Sequence, residues 1–117
     1  MIVKEVLEEE LLTLPEVRDL LARIMEERRE EGDEEQVYEF RKAFQHAETF
    51  SKLTAAESRE LVNKLMELDK MKEVIAVRIA DLLPQTRDEL RAVYAKEKFT
   101  LKEEELDAIL DLVLQYV

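Results

Sequence analysis

The chain has 117 residues and a mass of 13.8 kDa, enough for one domain around a single core. Charged residues make up 40%, the net charge is −11, and one Gly stands beside two Pro, which suits long helices with short links and excludes an all-β fold. The absence of Cys excludes disulfides and thiolate metal sites, and no apolar run approaches the roughly 18 to 20 residues of a membrane span.

The amino terminus, MIVKEVLEEELL, meets charge too early for a secretory signal, so the expected compartment is the cytoplasm. Within it, Ile2, Val3, Val6, Leu7, Leu11 and Leu12 have the three-to-four spacing of a helical stripe. They read equally as an extended segment docking on another chain. Thr13 with Glu16 is a capping box, and Pro15 suits the first turn of a helix. Leu14, Val17, Leu20, Leu21, Ile24 and Met25 then form its buried face, and Gly32 is placed to end it in the left-handed conformation. Asp33 with Gln36 opens a second helix, with apolar positions Val37, Phe40, Phe44 and Ala47 and with Tyr38 on another side. Its aromatic content predicts a central place for it.

Thr54 with Glu57 starts a third helix carrying Leu61, Val62, Leu65, Met66 and Leu68. After the link Asp69-Lys70-Met71-Lys72, a fourth helix places Val74, Ile75, Ile79, Leu82 and Leu83 on one apolar face. Pro84 stops it, since the residue before a proline is driven out of the α region. Thr86 with Glu89 restarts a helix bearing Leu90, Val93 and Tyr94. Thr100 with Glu103 predicts the last start, ahead of the stripe Leu106, Ile109, Leu110, Val113, Leu114 and Val117. The four T-x-x-E boxes show no fixed period, so the domain is not a repeat.

Charge is unevenly spread. Residues 1–35 carry −8 and residues 103–117 carry −5, which leaves the middle at about +2. Binding to phosphates needs clustered Lys and Arg, so the acidic ends are no nucleic-acid footprint. Arg87, Arg91, Lys96, Lys98 and Lys102 are the candidate nucleic-acid contact, against the competing reading of a solvated face ion-paired to Asp88, Glu89 and Glu97. The abundance of Glu, Lys and Arg without thiols fits a thermophile.

Catalytic signals are missing. The single histidine, His46, has no orienting acid at helical spacing, so it reads as structural. A di-iron carboxylate bundle needs Glu-x-x-His on two helices. Here residue 43 is Ala and there is no second histidine. No phosphate loop, nucleophile elbow or zinc spacing occurs. Neither an enzyme nor a cofactor is expected; what remains is an interaction module, with surplus apolar surface at Ile2 to Leu12 and Val113 to Val117.

Arg78-Ile79-Ala80-Asp81-Leu82-Leu83-Pro84, followed by Asp88-Glu89-Leu90-Arg91-Ala92-Val93-Tyr94, resembles a stalk protein of archaeal DNA-directed RNA polymerase, the counterpart of subunit 4 of the eukaryotic enzymes. The order of the other segments is similar too, over nearly the whole chain. The resemblance implies an all-α fold: an HRDC-like bundle of about six helices over residues 13–117, preceded by a partner-docking segment over residues 1–12. In this family the stalk is a heterodimer whose other member carries an OB-fold. The docking segment would be extended and add as a strand to the sheet of that OB-fold stalk partner, which overrides its helical spacing. Glu8-Glu9-Glu10 departs from the family pattern there. The resemblance further implies a non-catalytic role within the polymerase, joined to its core through the stalk partner. The stalk supports promoter opening, handling of the transcript and contacts with initiation factors, and most RNA contact belongs to the partner. The alternatives are a free-standing HRDC-like nucleic-acid-binding module, which should be basic overall rather than acidic, and an acidic regulatory helical protein unrelated to transcription.

Overall fold

The computed structural model describes residues 11–117, which form six helices and, among the described residues, no strand. They are α1 (Leu14–Glu30), α2 (Glu34–Phe50), α3 (Ala55–Leu65), α4 (Glu73–Leu82), α5 (Arg87–Val93) and α6 (Glu103–Leu114). The all-α bundle of six helices expected from the sequence is the fold observed.

Local chemistry explains most of the boundaries. Thr13 and Thr54 each accept the backbone N–H three residues on, while Glu16 and Glu57 accept the N–H of the cap. At the end of α1, Gly32 has φ +79, with Gly32 N–H bonded to Arg29 C=O and Asp33 N–H to Arg28 C=O. These are the paired bonds of a Schellman ending, for which a residue without Cβ is favoured. Asp33 caps α2 by accepting from Gln36 N–H, and Thr86 caps α5 through Glu89 N–H. Glu89 itself reaches Gln85 N–H, one residue before the cap.

The expected start of the last helix is displaced. Phe99 and Leu101 pack against the core, so the chain stays irregular past Thr100 and the cap falls on Lys102. Glu105 accepts Lys102 N–H at 2.8 Å, and the lysine side chain has no acceptor with which to complete a box. Burial of two apolar side chains overrides the local Thr100 signal.

The core is built by α3 to α6, with Leu61, Leu65, Ile75, Ile79, Leu90, Leu106 and Val113 almost wholly buried. α3 touches α1, α4 and α6 and is the central element. The placement of α2 at the centre is therefore corrected: it packs chiefly on α1 as the outer arm of a hairpin. Only Val37 and Ala47 of its apolar residues are buried, Phe40 and Phe44 are half-buried, and Tyr38 is 72% exposed. The small and β-branched positions allow close approach to α1, and the aromatics lie beside that seam.

The apolar face read for α4 also needs revision. Val74 and Leu82 are exposed, and Ala76 and Ala80 join Ile75 and Ile79 inside. Leu83 leaves the right-handed α region, as a residue before proline should, but with φ +48. That left-handed turn costs about 1–2 kcal/mol. It swings Leu83 into the core at 6% exposure and leaves Leu82 at 52%. Burying a leucine is worth roughly 1.5–3 kcal/mol, so packing of Leu83 offsets the strain. At the carboxy terminus, Val113 is buried while Leu114 and Val117 are exposed, and Met66 after α3 is exposed too.

Candidate functional site

The amino-terminal junction of the bundle is the most highly organised polar site among the described residues. Thr13 and Ser58 are both fully buried, with their hydroxyl oxygens 2.8 Å apart. Ser58 donates to Ala55 C=O at 2.9 Å, which leaves Thr13 as the donor to Ser58 while its oxygen accepts from Glu16 N–H. Arg59, one residue on in α3, grips Glu16 through Nε and Nη2, the first at 2.9 Å. Its Nη2 also donates to Leu11 C=O at 2.8 Å. From α4, Asp81 Oδ1 accepts Leu14 N–H, also at 2.9 Å. Three helices thus hold the backbone of residues 11–14, and the direction in which the chain joins the bundle is set.

The electrostatics follow from this geometry. Burial works to raise the Glu16 carboxyl, but Arg59 and the donors of Thr13 outweigh it and hold its pKa below the usual 4.5. Asp81 moves the other way. Burial lifts it above 3.8, Leu14 N–H pulls it back in part, and the charge of Glu16 adds to the rise. Glu16 is therefore the anchored anion of the site and Asp81 the acid nearer to neutrality.

Of the residues assigned to the docking segment, Ile2, Val3, Val6 and Leu7 lie outside the described residues, as does any strand there. Leu11 and Leu12 are described; both are half-buried and neither is helical. The alpha-helical domain proper begins at the Thr13 cap.

The five basic residues separate into two groups. Arg87 makes a bidentate pair with Asp107 at 2.9 and 2.8 Å and also approaches Glu103. Arg91 pairs with Asp88 at 3.0 Å. Lys96 and Lys98 lie on the link from α5 to α6 and form no ion pair among the described residues, and Lys102 is exposed at the start of α6. Asp88 is thus a partner as read from the sequence, whereas Glu97 pairs with Lys72 at 3.2 Å. His46 is exposed and rests on the Phe50 ring, with centroids 4.7 Å apart. No group of His, Asp and Glu among the described residues is arranged to hold a metal ion, and none of the described helices is long and apolar enough to cross a membrane.

Ser58, Arg59 and Asp81 went unrecognised in the sequence as members of a site. Asp81 did leave a signal, being the one acid inside the apolar run from Val74 to Leu83. Arg59 left none, because a basic residue at an ordinary helical position looks like solvent-facing surface.

A family model described as RNA polymerase Rpb4 matches residues 11–117. The DNA-directed RNA polymerase subunit Rpo4 of Methanocaldococcus jannaschii is 38% identical over 117 residues, an alignment covering all of this chain and 93% of that relative.

Proposed function

This chain belongs to the RNA polymerase Rpb4 family, and from that premise we propose that it is one half of an archaeal polymerase stalk, paired with the OB-fold stalk partner. It acts by binding, as a non-catalytic part of a nucleotidyltransferase complex in the cytoplasm. Residues 1–12 dock on the partner and residues 13–117 form the helical domain. Through that partner the chain joins the polymerase core and supports promoter opening, transcript handling and contacts with initiation factors.

The observation that carries the docking reading is the junction. Arg59 and Asp81 hold the backbone of Leu11 and Leu14 from the side of α3 and α4, so the preceding segment leaves the bundle in a set direction. In that segment Ile2 and Val6 share one parity and Val3 and Leu7 the other. Both faces of an added strand would then be apolar, as a strand covered on two sides requires. An exposed sheet edge on the partner would supply the backbone hydrogen bonds. The α1–α2 hairpin offers further apolar surface, because two helices cannot cover both faces of their own layer.

Removing residues 1–10 tests this. That deletion keeps Leu11 and the whole junction, so helical circular dichroism should stay nearly intact. Affinity for the stalk partner should fall at least about tenfold, or roughly 1.4 kcal/mol, and Val6→Pro should reproduce much of the loss by removing a donor mid-segment. A truncated chain that loses helicity yet binds the stalk partner fully would refute the strand reading.

A further inference from the structure

The irregular link between α5 and α6 borders an open cleft of about 250 Å³, lined on its apolar side by Tyr94, Ala95, Phe99, Leu101 and Leu106. The Tyr94 hydroxyl donates to Lys70 C=O at 3.3 Å, and its ring meets Phe99 edge-on at 5.9 Å. Burial first, then Glu97 and Glu105, push that phenol up to about 12, so it stays a neutral donor. Pockets for cofactors and drug-sized ligands span roughly 300–1,000 Å³. This one is smaller and open, the size for a large side chain presented by a peptide.

Its charge setting is unlike the rest of a chain that carries −11. Residues 87–102 hold five bases against three acids. Lys96 falls between the lining residues Ala95 and Glu97, and Lys98 between Glu97 and Phe99. Both are exposed without an ion pair among the described residues, so their charge does nothing for the fold. Glu97, the acid of the lining, is matched by Lys72, whose Nζ also lies 5.8 Å from the Phe99 ring centroid. Beyond Leu101 a second cleft of about 220 Å³ has the opposite character, lined by Asp69, Glu104 and Glu105. An acidic ligand is therefore admitted on one side of Leu101 and repelled on the other.

We infer that the cleft of Tyr94, Phe99 and Leu101 docks an acidic, extended peptide of another protein. One bulky apolar side chain seats in the cleft and the flanking carboxylates face Lys96 and Lys98. The wider acidity of the chain disfavours any acidic partner, so a local reversal of sign is what recognition of one requires. This inference does not depend on the stalk reading.

The test is fluorescence anisotropy with the full chain and a labelled peptide carrying a central Phe-Leu pair between runs of Asp and Glu. Saturable binding that weakens with added salt is expected. The K96E/K98E variant should bind at least about tenfold more weakly, and so should wild type when Ser replaces both apolar residues of the peptide. Circular dichroism should show the variant folded, since both lysines are exposed. Absence of saturable binding, equal affinity of the K96E/K98E variant, or equal affinity of the Ser peptide overturns the inference. Tighter binding of a labelled oligouridylate through the same lysines also overturns it, in favour of a single-stranded RNA site.

Discussion

Replacing Arg59 by Met keeps much of the side-chain stem and removes the donors that hold Glu16 and Leu11 C=O. Exposed ion pairs are worth about 0–1 kcal/mol, and breaking a fully buried one costs about 3–5 kcal/mol. Here the side chains are 27% and 18% exposed and the contact is bidentate, so Arg59→Met should destabilise the fold by roughly 2 kcal/mol. Urea denaturation of Arg59→Met, Glu16→Gln and the double variant would isolate the pair, with a coupling of about 1–2 kcal/mol expected. The dependence on pH has a definite sign. With its folded pKa below 4.5, Glu16 contributes fully above 4.5 and loses that contribution as the pH falls through the lower folded value. Asp81, raised above 3.8, runs oppositely, its contribution being lost as the pH rises through the folded value. The acid-side loss should therefore flatten in Arg59→Met, and Asp81→Asn should abolish the opposing trend. A coupling below about 0.3 kcal/mol, with an unchanged acid limb, would show that Glu16 and Arg59 do not act as a unit.

At the end of α4, Leu82→Ala should cost less than about 1 kcal/mol and Leu83→Ala about 2–4 kcal/mol by chemical denaturation. Because Leu83 has φ +48, Leu83→Gly should be no worse than Leu83→Ala, the reverse of the usual order. Thr54→Ala should cost about 1 kcal/mol, while Thr100→Ala should shift the same denaturation midpoint hardly at all. Equal losses for the two threonines would place a working cap at Thr100 after all.

The helix starts at Thr13, Asp33, Thr54 and Thr86 and the ending at Gly32 were legible in the sequence because each is a transaction among residues three or four apart. Backbone donors left free at a helix end take the nearest acceptor, and no distant contact is needed. Function class was legible differently, through the likeness of the stretch from Arg78 to Tyr94 to a polymerase component, since capping and periodicity say nothing about chemistry. Tertiary structure decided the matters that depend on long-range competition. Leu82 and Leu83 are the same residue type side by side, and only the turn before the buried Pro84 determines which of them faces the core. Thr100 lost its role because Phe99 and Leu101 had to reach apolar neighbours. The aromatics of α2 stayed near the surface because α3, contacting helices on three sides, already filled the centre. Arg59 and Asp81 are 48 and 67 residues from the backbone groups they hold. No local pattern encodes such pairings; they exist only once α1, α3 and α4 have packed together.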